Sequence, residues 1–327
     1  MNFLANPVDL PPLAAFALRW GRRLAAGGAL LLAALVVLEL AAAHFLPQRS
    51  TRFLRDGTAQ GQPAWIDNPF FSYRFSTARA ARPPPPIVVP KTPAPGTLRV
   101  CLLGGSSLMG FPDPAFGIGR QLELLLQHRY PDHPVEVVHM ALEGGNSHVL
   151  REVARDLKRL RPQAVVVLTG NEEVAGPYGP ASSLGRFHHS SRIARLLVLF
   201  SRTHLSGLCA DLLERAYPAR ADLHAWRSQE PITLQGRMSP RDPRLRSAYR
   251  SFRKNLSAIL RQATEAAPVV VVCTVPVNLR DCAPFSSSYL EDETAAQEVR
   301  EKLRAAIAAE TATNRVEASR LYADVIQ

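Results

Sequence analysis

The sequence predicts an α/β fold in which a parallel sheet carries helices on both faces, with a transmembrane helix before it and a helical segment after it. Four short apolar runs alternate with segments of helical spacing, a pattern typical of parallel sheets covered by helices. A much longer apolar run precedes them, and an Ala- and Glu-rich stretch follows them. With 46% apolar residues among 327, the chain can bury a sizeable core, which excludes wholesale disorder.

Each strand and helix of the sheet follows from its local pattern. The strands are short runs rich in Val and Leu, whereas the helices repeat apolar residues every three or four positions, as Leu122, Leu125 and Leu126 do. The predicted strands cover residues 98–103, 135–139, 164–169 and 268–274, and the predicted helices cover residues 118–129, 147–160 and 246–266.

Residues 24–46 form an apolar run that is interrupted only by Glu39 and His44. As a helix, this run would extend about 34 Å, which is enough to cross a bilayer core of roughly 30 Å. We therefore predict an uncleaved membrane anchor. A cleaved signal peptide is the alternative, because the alanines at 41–43 could form a cleavage site.

Arginines flank the predicted anchor on both sides. Residues 1–23 form a short basic tail, and further arginines follow the span at positions 49, 52 and 55. The positive-inside signal is therefore nearly balanced. We predict that the tail stays inside and that the globular domain lies on the extracytoplasmic side.

Three further regions follow the predicted anchor. Residues 47–96 form an extended arm or linker, with seven prolines between positions 83 and 95. Residues 97–290 form the α/β domain, with an insertion at about 174–244 of the kind that often shapes a binding site. Residues 291–327 form the helical segment.

The formal charge of +11 comes mostly from arginines scattered along the chain. Because no basic stripe is interleaved with aromatic residues, we expect a basic surface facing anionic lipid or glycan and no nucleic-acid partner. The four cysteines, Cys101, Cys209, Cys273 and Cys282, lack the spacing of metal ligands, and no phosphate-loop or dinucleotide motif occurs. No metal or cofactor is therefore expected.

Residues with chemical potential follow the predicted strands, at the ends where parallel sheets place their binding sites. Gly104-Gly105-Ser106 follows the first strand and puts a hydroxyl on a tight turn, while Gly144 and Asn171 follow the second and third strands. Backbone N–H groups and an amide at such positions can stabilise an oxyanion. A Gly-Gly-Ser turn alone is usually a plain turn, but the ordered set of loops favours a catalytic site.

These loops resemble the SGNH, or GDSL-like, hydrolase superfamily. Residues 104–110, Gly-Gly-Ser-Ser-Leu-Met-Gly, are similar to the first family block, Gly-Asp-Ser-Leu-x-x-Gly. The resemblance implies a flavodoxin-like three-layer fold, cleavage of esters and Ser106 as the nucleophile. It also implies an oxyanion hole made by the N–H groups of Ser106 and Gly144, with Asn171 of the third block as a further donor.

More narrowly, the layout resembles a bacterial envelope branch that joins a membrane segment, an SGNH-like domain and tetratricopeptide-like helices. The resemblance implies membrane attachment through residues 24–46, and an ester-bearing lipid, glycan or small molecule as substrate. It also implies a protein partner as an option for the C-terminal helices. The similarity extends over roughly residues 20–327 and is carried by residues 110–117, 146–148, 170–180 and 278–285.

Two departures from the family pattern leave the activity open. Glu172 stands at the position of the third-block amide, where a carboxylate would repel a developing oxyanion. The fifth block, Asp-x-x-His, does not occur, and a serine hydroxyl without an imidazole is a poor nucleophile. His148, His188 and His189 are candidates for a relocated base, although surface histidines are the simpler interpretation.

Together these observations predict a membrane-anchored SGNH-type serine ester hydrolase that is incomplete or weakly active as this chain. The alternative is a non-catalytic, degenerate SGNH-like protein that is tethered to the membrane and acts as a binding protein or scaffold.

Overall fold

The computed structural model describes residues 12–45, 51–75, 81–110, 113–182, 191–216, 238, 242–276 and 293–326. The helices are α1 (Pro12–Phe45), α2 (Ser106–Met109), α3 (Ile118–Arg129), α4 (Ser147–Val153), α5 (Leu157–Leu160), α6 (Ser191–Phe200), α7 (His204–Ala216), α8 (Arg244–Ala266), α9 (Glu293–Thr311) and α10 (Arg315–Ile326). The strands are β1 (Leu54–Ala59), β2 (Gln62–Asp67), β3 (Val88–Pro90), β4 (Leu98–Gly104), β5 (Val135–Ala141), β6 (Ala164–Leu168) and β7 (Val269–Cys273).

The central sheet has four parallel strands in the order β5-β4-β6-β7. With β4 counted as the first strand, this order is 2-1-3-4. The second strand, β5, therefore lies on one side of β4, and the third and fourth, β6 and β7, lie on the other side. The predicted α/β fold with a parallel sheet is confirmed. Its four predicted strands agree with β4 to β7 to within two residues at each end.

Helices cover both faces of this sheet around its central strand β4, whereas the edge strand β7 is largely exposed. On one face, Leu122 and Leu126 of α3 pack against Val100 and Leu102. On the other face, α4, α5 and α8 surround Cys101, and burial raises the pKa of this thiol to about 12. Neighbouring residues of β4 therefore point into opposite layers, as the pleat of a strand requires.

Helix α1 supplies the predicted N-terminal apolar helix. Its segment Trp20–Phe45, 26 residues long, is apolar and long enough to cross a membrane. Large apolar side chains along it, such as Leu30 and Val37, are exposed. A helix that exposes apolar residues on all sides fits a lipid environment better than water.

The range predicted as an arm contains a three-stranded antiparallel sheet in the order β1-β2-β3. Two aromatic side chains, Phe53 and Phe71, are fully buried in the same core cluster as the central sheet. The carboxylate of Asp156 accepts hydrogen bonds from the N–H groups of Phe53 and Leu54, at 3.0 and 3.1 Å. This region is therefore packed onto the α/β domain.

A buried ion cluster ties the same region to α4 and α6. The Glu152 carboxylate is almost fully buried and lies 2.9 Å from Arg74 and 2.7 Å from Arg202. The Arg74 side chain is also buried, and its Nε donates to the carbonyl of Ser201, directly after α6. The cluster thus holds together three segments that are distant in sequence.

Candidate active site

The carboxyl ends of the strands lie level with one another at one edge of the sheet. Gly104 at the end of β4 pairs with Ala141 of β5 and with Leu168 of β6. Because the chain order reverses on either side of β4, the connections that follow β4 and β6 run in opposite directions, an arrangement that forms a crevice in open parallel sheets. In open parallel sheets, such a switch point is where ligands bind.

The loop after β4 brings Ser106 to this crevice. Ser106 is half-buried and begins the short helix α2, whereas the neighbouring Ser107 is exposed. A Cβ atom on Gly105 would lie 3.2 Å from the Gly145 carbonyl oxygen and 3.4 Å from Cγ of Glu172. The glycine therefore permits close contact among the loops that follow β4, β5 and β6.

The loop after β5 contains a tight turn closed by a 2.9 Å hydrogen bond from the Gly145 N–H to the Leu142 carbonyl. Gly144 within this turn has a φ of +66°, a left-handed conformation that favours glycine. Neither the Gly144 N–H nor the Ser106 N–H donates to a backbone carbonyl in the turns and loops that the structure describes. Both groups are thus free of such bonds at the crevice.

The loop after β6 places Glu172 directly against the serine. The Ser106 Oγ donates a 2.9 Å hydrogen bond to Oε1 of Glu172. The amide of Asn171 is exposed and its Nδ2 lies 3.5 Å from the same oxygen. The structure therefore brings Ser106, Asn171 and Glu172 together, with the carboxylate rather than the amide in contact with the hydroxyl.

A second polar network, which sequence reasoning missed, lies behind this contact. The buried Glu173 carboxylate accepts hydrogen bonds from the Ser147 N–H and Oγ, both at 2.7 Å, and Asn255 of α8 donates to the Ser147 Oγ at 3.2 Å. Burial raises the pKa of Glu173, and the negative charge of Glu172 also raises it, against the hydrogen bonds from Ser147. This network fixes the loop that carries Glu172 onto α4 and α8.

The surroundings of the candidate base His148 differ from those of His139, a histidine on the central sheet. His139, on β5, packs beneath α3, and a Cβ atom on Gly119 would lie 2.1 Å from the His139 ring. Burial lowers the pKa of this imidazole. His148 is buried at the start of α4 with its ring centroid 5.8 Å from that of Tyr178. His188 and His189 lie outside the described residues, as does the 278–285 segment of the family resemblance.

Neither comparison with known proteins places the chain in a family. No protein-family model matches the sequence, and no curated protein is significantly similar to it. Across the described ranges, no three His, Cys, Asp or Glu side chains group in a way that could hold a metal ion. The chemistry of this site therefore has to be argued from Ser106 and the groups around it.

Proposed function

We propose that this chain is a membrane-anchored serine ester hydrolase of the SGNH type, with Ser106 as its nucleophile. The observation that carries the proposal is the contact between Ser106 and Glu172 across the crevice at the switch point of the sheet. The strand order 2-1-3-4 supports the proposal, because it matches the first four strands of a flavodoxin-like sheet.

The proposed reaction begins with attack of the Ser106 Oγ on the carbonyl carbon of an ester. The carbonyl oxygen becomes negatively charged, and the N–H groups of Ser106 and Gly144 stabilise it. The bond between the carbonyl carbon and the alcohol oxygen then breaks, and the alcohol leaves with the proton that the Ser106 hydroxyl has given up. Water finally attacks the acyl carbon, which releases the carboxylic acid and returns a proton to Ser106. A half-buried serine on a rigid strand-to-helix turn suits this role because its position is fixed by the sheet.

Glu172 limits the rate of this reaction in the proposal. Its carboxylate accepts the hydrogen bond of the Ser106 hydroxyl, but a carboxylate is a weaker base than the imidazole of a serine hydrolase triad and therefore activates the serine little. It also places a negative charge where the oxyanion develops, which raises the barrier. We therefore expect slow turnover of short-chain esters.

The same contact favours a second candidate function. A serine whose hydroxyl is held by a carboxylate can bind a ligand at the crevice without cleaving it, so the chain would serve as a tethered binding protein or scaffold. The two candidates differ in one property, which is covalent reaction at Ser106.

The remaining parts of the chain fit either candidate. Helix α1 would hold the protein in the membrane, with the globular part on the extracytoplasmic side and an ester-bearing lipid, glycan or small molecule as ligand. Helices α9 and α10 pack against each other, with a 2.7 Å hydrogen bond from Tyr322 to Glu310. Such helix pairs resemble tetratricopeptide units and could bind a protein partner.

Covalent labelling tests the proposed function. We expect the full chain to react with an organophosphonate probe at Ser106, and peptide mass spectrometry would locate the adduct. Ser106→Ala should abolish labelling, while Ser107→Ala, the matched control at the exposed neighbouring hydroxyl, should retain it. An adduct on another residue, or none on a folded wild-type chain, would contradict a nucleophilic role for Ser106.

A further inference from the structure

A basic groove lies between α4, α6 and α8. Its volume is about 790 Å³. Seven of the side chains that line it are Arg or Lys, whereas only one, Glu152, is acidic. Such a concentration of one charge in a concave surface attracts an anion of the opposite sign.

The positive charge of the groove is not neutralised by the acid beside it. Glu152 is already engaged by Arg74 and Arg202. Within the described ranges, no ion pair involves Arg195, Arg253 or Lys254, whose residues are all exposed. Exposed arginines and a lysine that converge on one groove form a site for phosphate, which guanidinium groups bind in a bidentate manner.

Helix α6, which forms one wall of the groove, also carries an exposed apolar face. Ile193, Leu196 and Phe200 recur at the spacing of one helix face, and about half or more of each is exposed. Arg195 of this helix and Arg202, two residues after its end, line the groove. An apolar face bordered by arginines is typical of helices that lie in the membrane interface.

The helix that follows α6 is attached to the membrane-spanning helix. The Glu39 carboxylate of α1 accepts hydrogen bonds from the N–H groups of His204 and Leu205, at 2.8 and 2.9 Å, and contacts the His204 ring at 2.9 Å. These bonds satisfy free N–H groups at the start of α7. Glu39 is thus a cap for α7 as well as a charged residue of the apolar segment.

The position of Glu39 places α6 and α7 near the membrane surface. The apolar segment of 26 residues is about 39 Å long, so it exceeds a bilayer core of about 30 Å. Glu39 lies roughly 9 Å before the end of α1, at Phe45, and hence close to the boundary between core and headgroups. The groove that α6 borders would then open at headgroup level.

We propose that the groove between α4, α6 and α8 binds the phosphate of an anionic membrane lipid, while the apolar face of α6 rests in the interface. The proposal rests on the membrane anchor of the proposed function but not on catalysis at Ser106. The phosphate would be bound by the positively charged side chains of the groove. Arg253 and Lys254 belong to α8, and Arg195 belongs to α6. Membrane contact and headgroup binding would reinforce each other, because both restrain α6.

Native mass spectrometry of the full chain tests this site. The protein would be released from mixed micelles that contain equal amounts of phosphatidylglycerol and phosphatidylcholine. We expect the wild type to retain phosphatidylglycerol in preference to phosphatidylcholine. Arg195→Ala/Arg253→Ala should reduce that preference about 25-fold, since each cation near anionic lipid contributes about fivefold. Arg195→Lys/Arg253→Lys should keep most of it.

A matched control and a competitor complete the design. Arg246→Ala/Arg304→Ala removes two exposed charges outside the groove and should leave the preference unchanged. Equal retention of both lipids by the wild type would overturn the proposal. So would a loss of lipid preference in this control as large as that in Arg195→Ala/Arg253→Ala. Displacement of the lipid by millimolar inorganic phosphate would also overturn it, because the ligand would then be free phosphate.

Vesicle flotation separates failure of the groove from failure of the anchor. Full chain reconstituted with neutral phosphatidylcholine vesicles should float with them after alkaline carbonate washing, because α1 crosses the bilayer. Flotation without a lipid preference would refute the groove alone. Loss of the chain from the vesicles would refute the anchor, and with it the placement of the groove at the headgroups.

Discussion

Replacement of Glu172 by glutamine should raise the rate at which esters acylate Ser106 by about 100-fold, the typical contribution of one oxyanion-hole donor. Glutamine has the same length, so it keeps the position beside the Ser106 hydroxyl. It replaces a negative charge with an amide that can donate a hydrogen bond to the developing oxyanion. Stopped-flow hydrolysis of a short-chain aryl acetate measures the rate.

Two further variants make this experiment specific. Glu143→Gln removes one negative charge from the neighbouring loop after β5. It should change the rate little, because Glu143 takes no part in the described hydrogen bonds between Ser106, Asn171 and Glu172. Glu172→Asn introduces a shorter amide and should also accelerate the reaction. A lower rate in both Glu172 variants would show that Glu172 is the required base, whereas an unchanged rate would remove it from the oxyanion site.

Replacement of Glu152 by alanine should lower the free energy of unfolding by about 3 to 5 kcal/mol, the usual cost of leaving a buried charge without its partner. Arg74 is buried beside Phe71 and Phe75, and it would lose the carboxylate 2.9 Å away. Chemical denaturation followed by circular dichroism measures the loss.

The control for this prediction is Arg155→Ala, which removes a half-exposed partner 3.3 Å from the same carboxylate. Its cost should stay below about 1 kcal/mol, because solvent screens an exposed charge. A cost of similar size in both variants would argue against burial as the cause.

The acid dependence of stability gives a second readout of the Glu152 cluster. Burial acts to raise the pKa of Glu152, but hydrogen bonds from Arg202 and the charge of Arg74 outweigh it and lower the pKa below 4.5. The resulting stabilisation is present above pH 4.5 and is lost as the pH falls through the lowered pKa. The Glu152→Ala variant should not show this loss. The free energies of unfolding of the wild type and the variant should therefore become similar as the pH falls.

The central sheet could be predicted from the sequence because its strands are continuous apolar runs. A run such as Val165–Val167 is apolar on both faces of its strand, and such runs stand out in a linear sequence. The three-stranded sheet before it could not be predicted in this way. Strand β1, Leu-Arg-Asp-Gly-Thr-Ala, has only one large apolar residue, and its hairpin depends on Gln60 and Gly61 adopting positive φ.

The candidate site was only partly predictable for a similar reason. Ser106, Gly144 and Glu172 follow strand ends, and parallel pairing brings strand ends together whatever the sequence between them. The network of Glu173, Ser147 and Asn255 joins residues up to 108 positions apart, and no local pattern marks such a contact. The bond between Glu39 and His204 spans 165 positions and depends equally on tertiary packing.

The most direct test of the proposed function is to trap the acyl group. The full chain and its Glu172→Gln variant would be mixed with an aryl acetate, quenched within seconds and mapped by peptide mass spectrometry. We expect one acetyl group on Ser106 in both proteins, with faster accumulation in the variant, and none after Ser106→Ala. Folded protein that carries no acetyl group on Ser106 in either case would contradict the hydrolase proposal and favour a tethered binding protein.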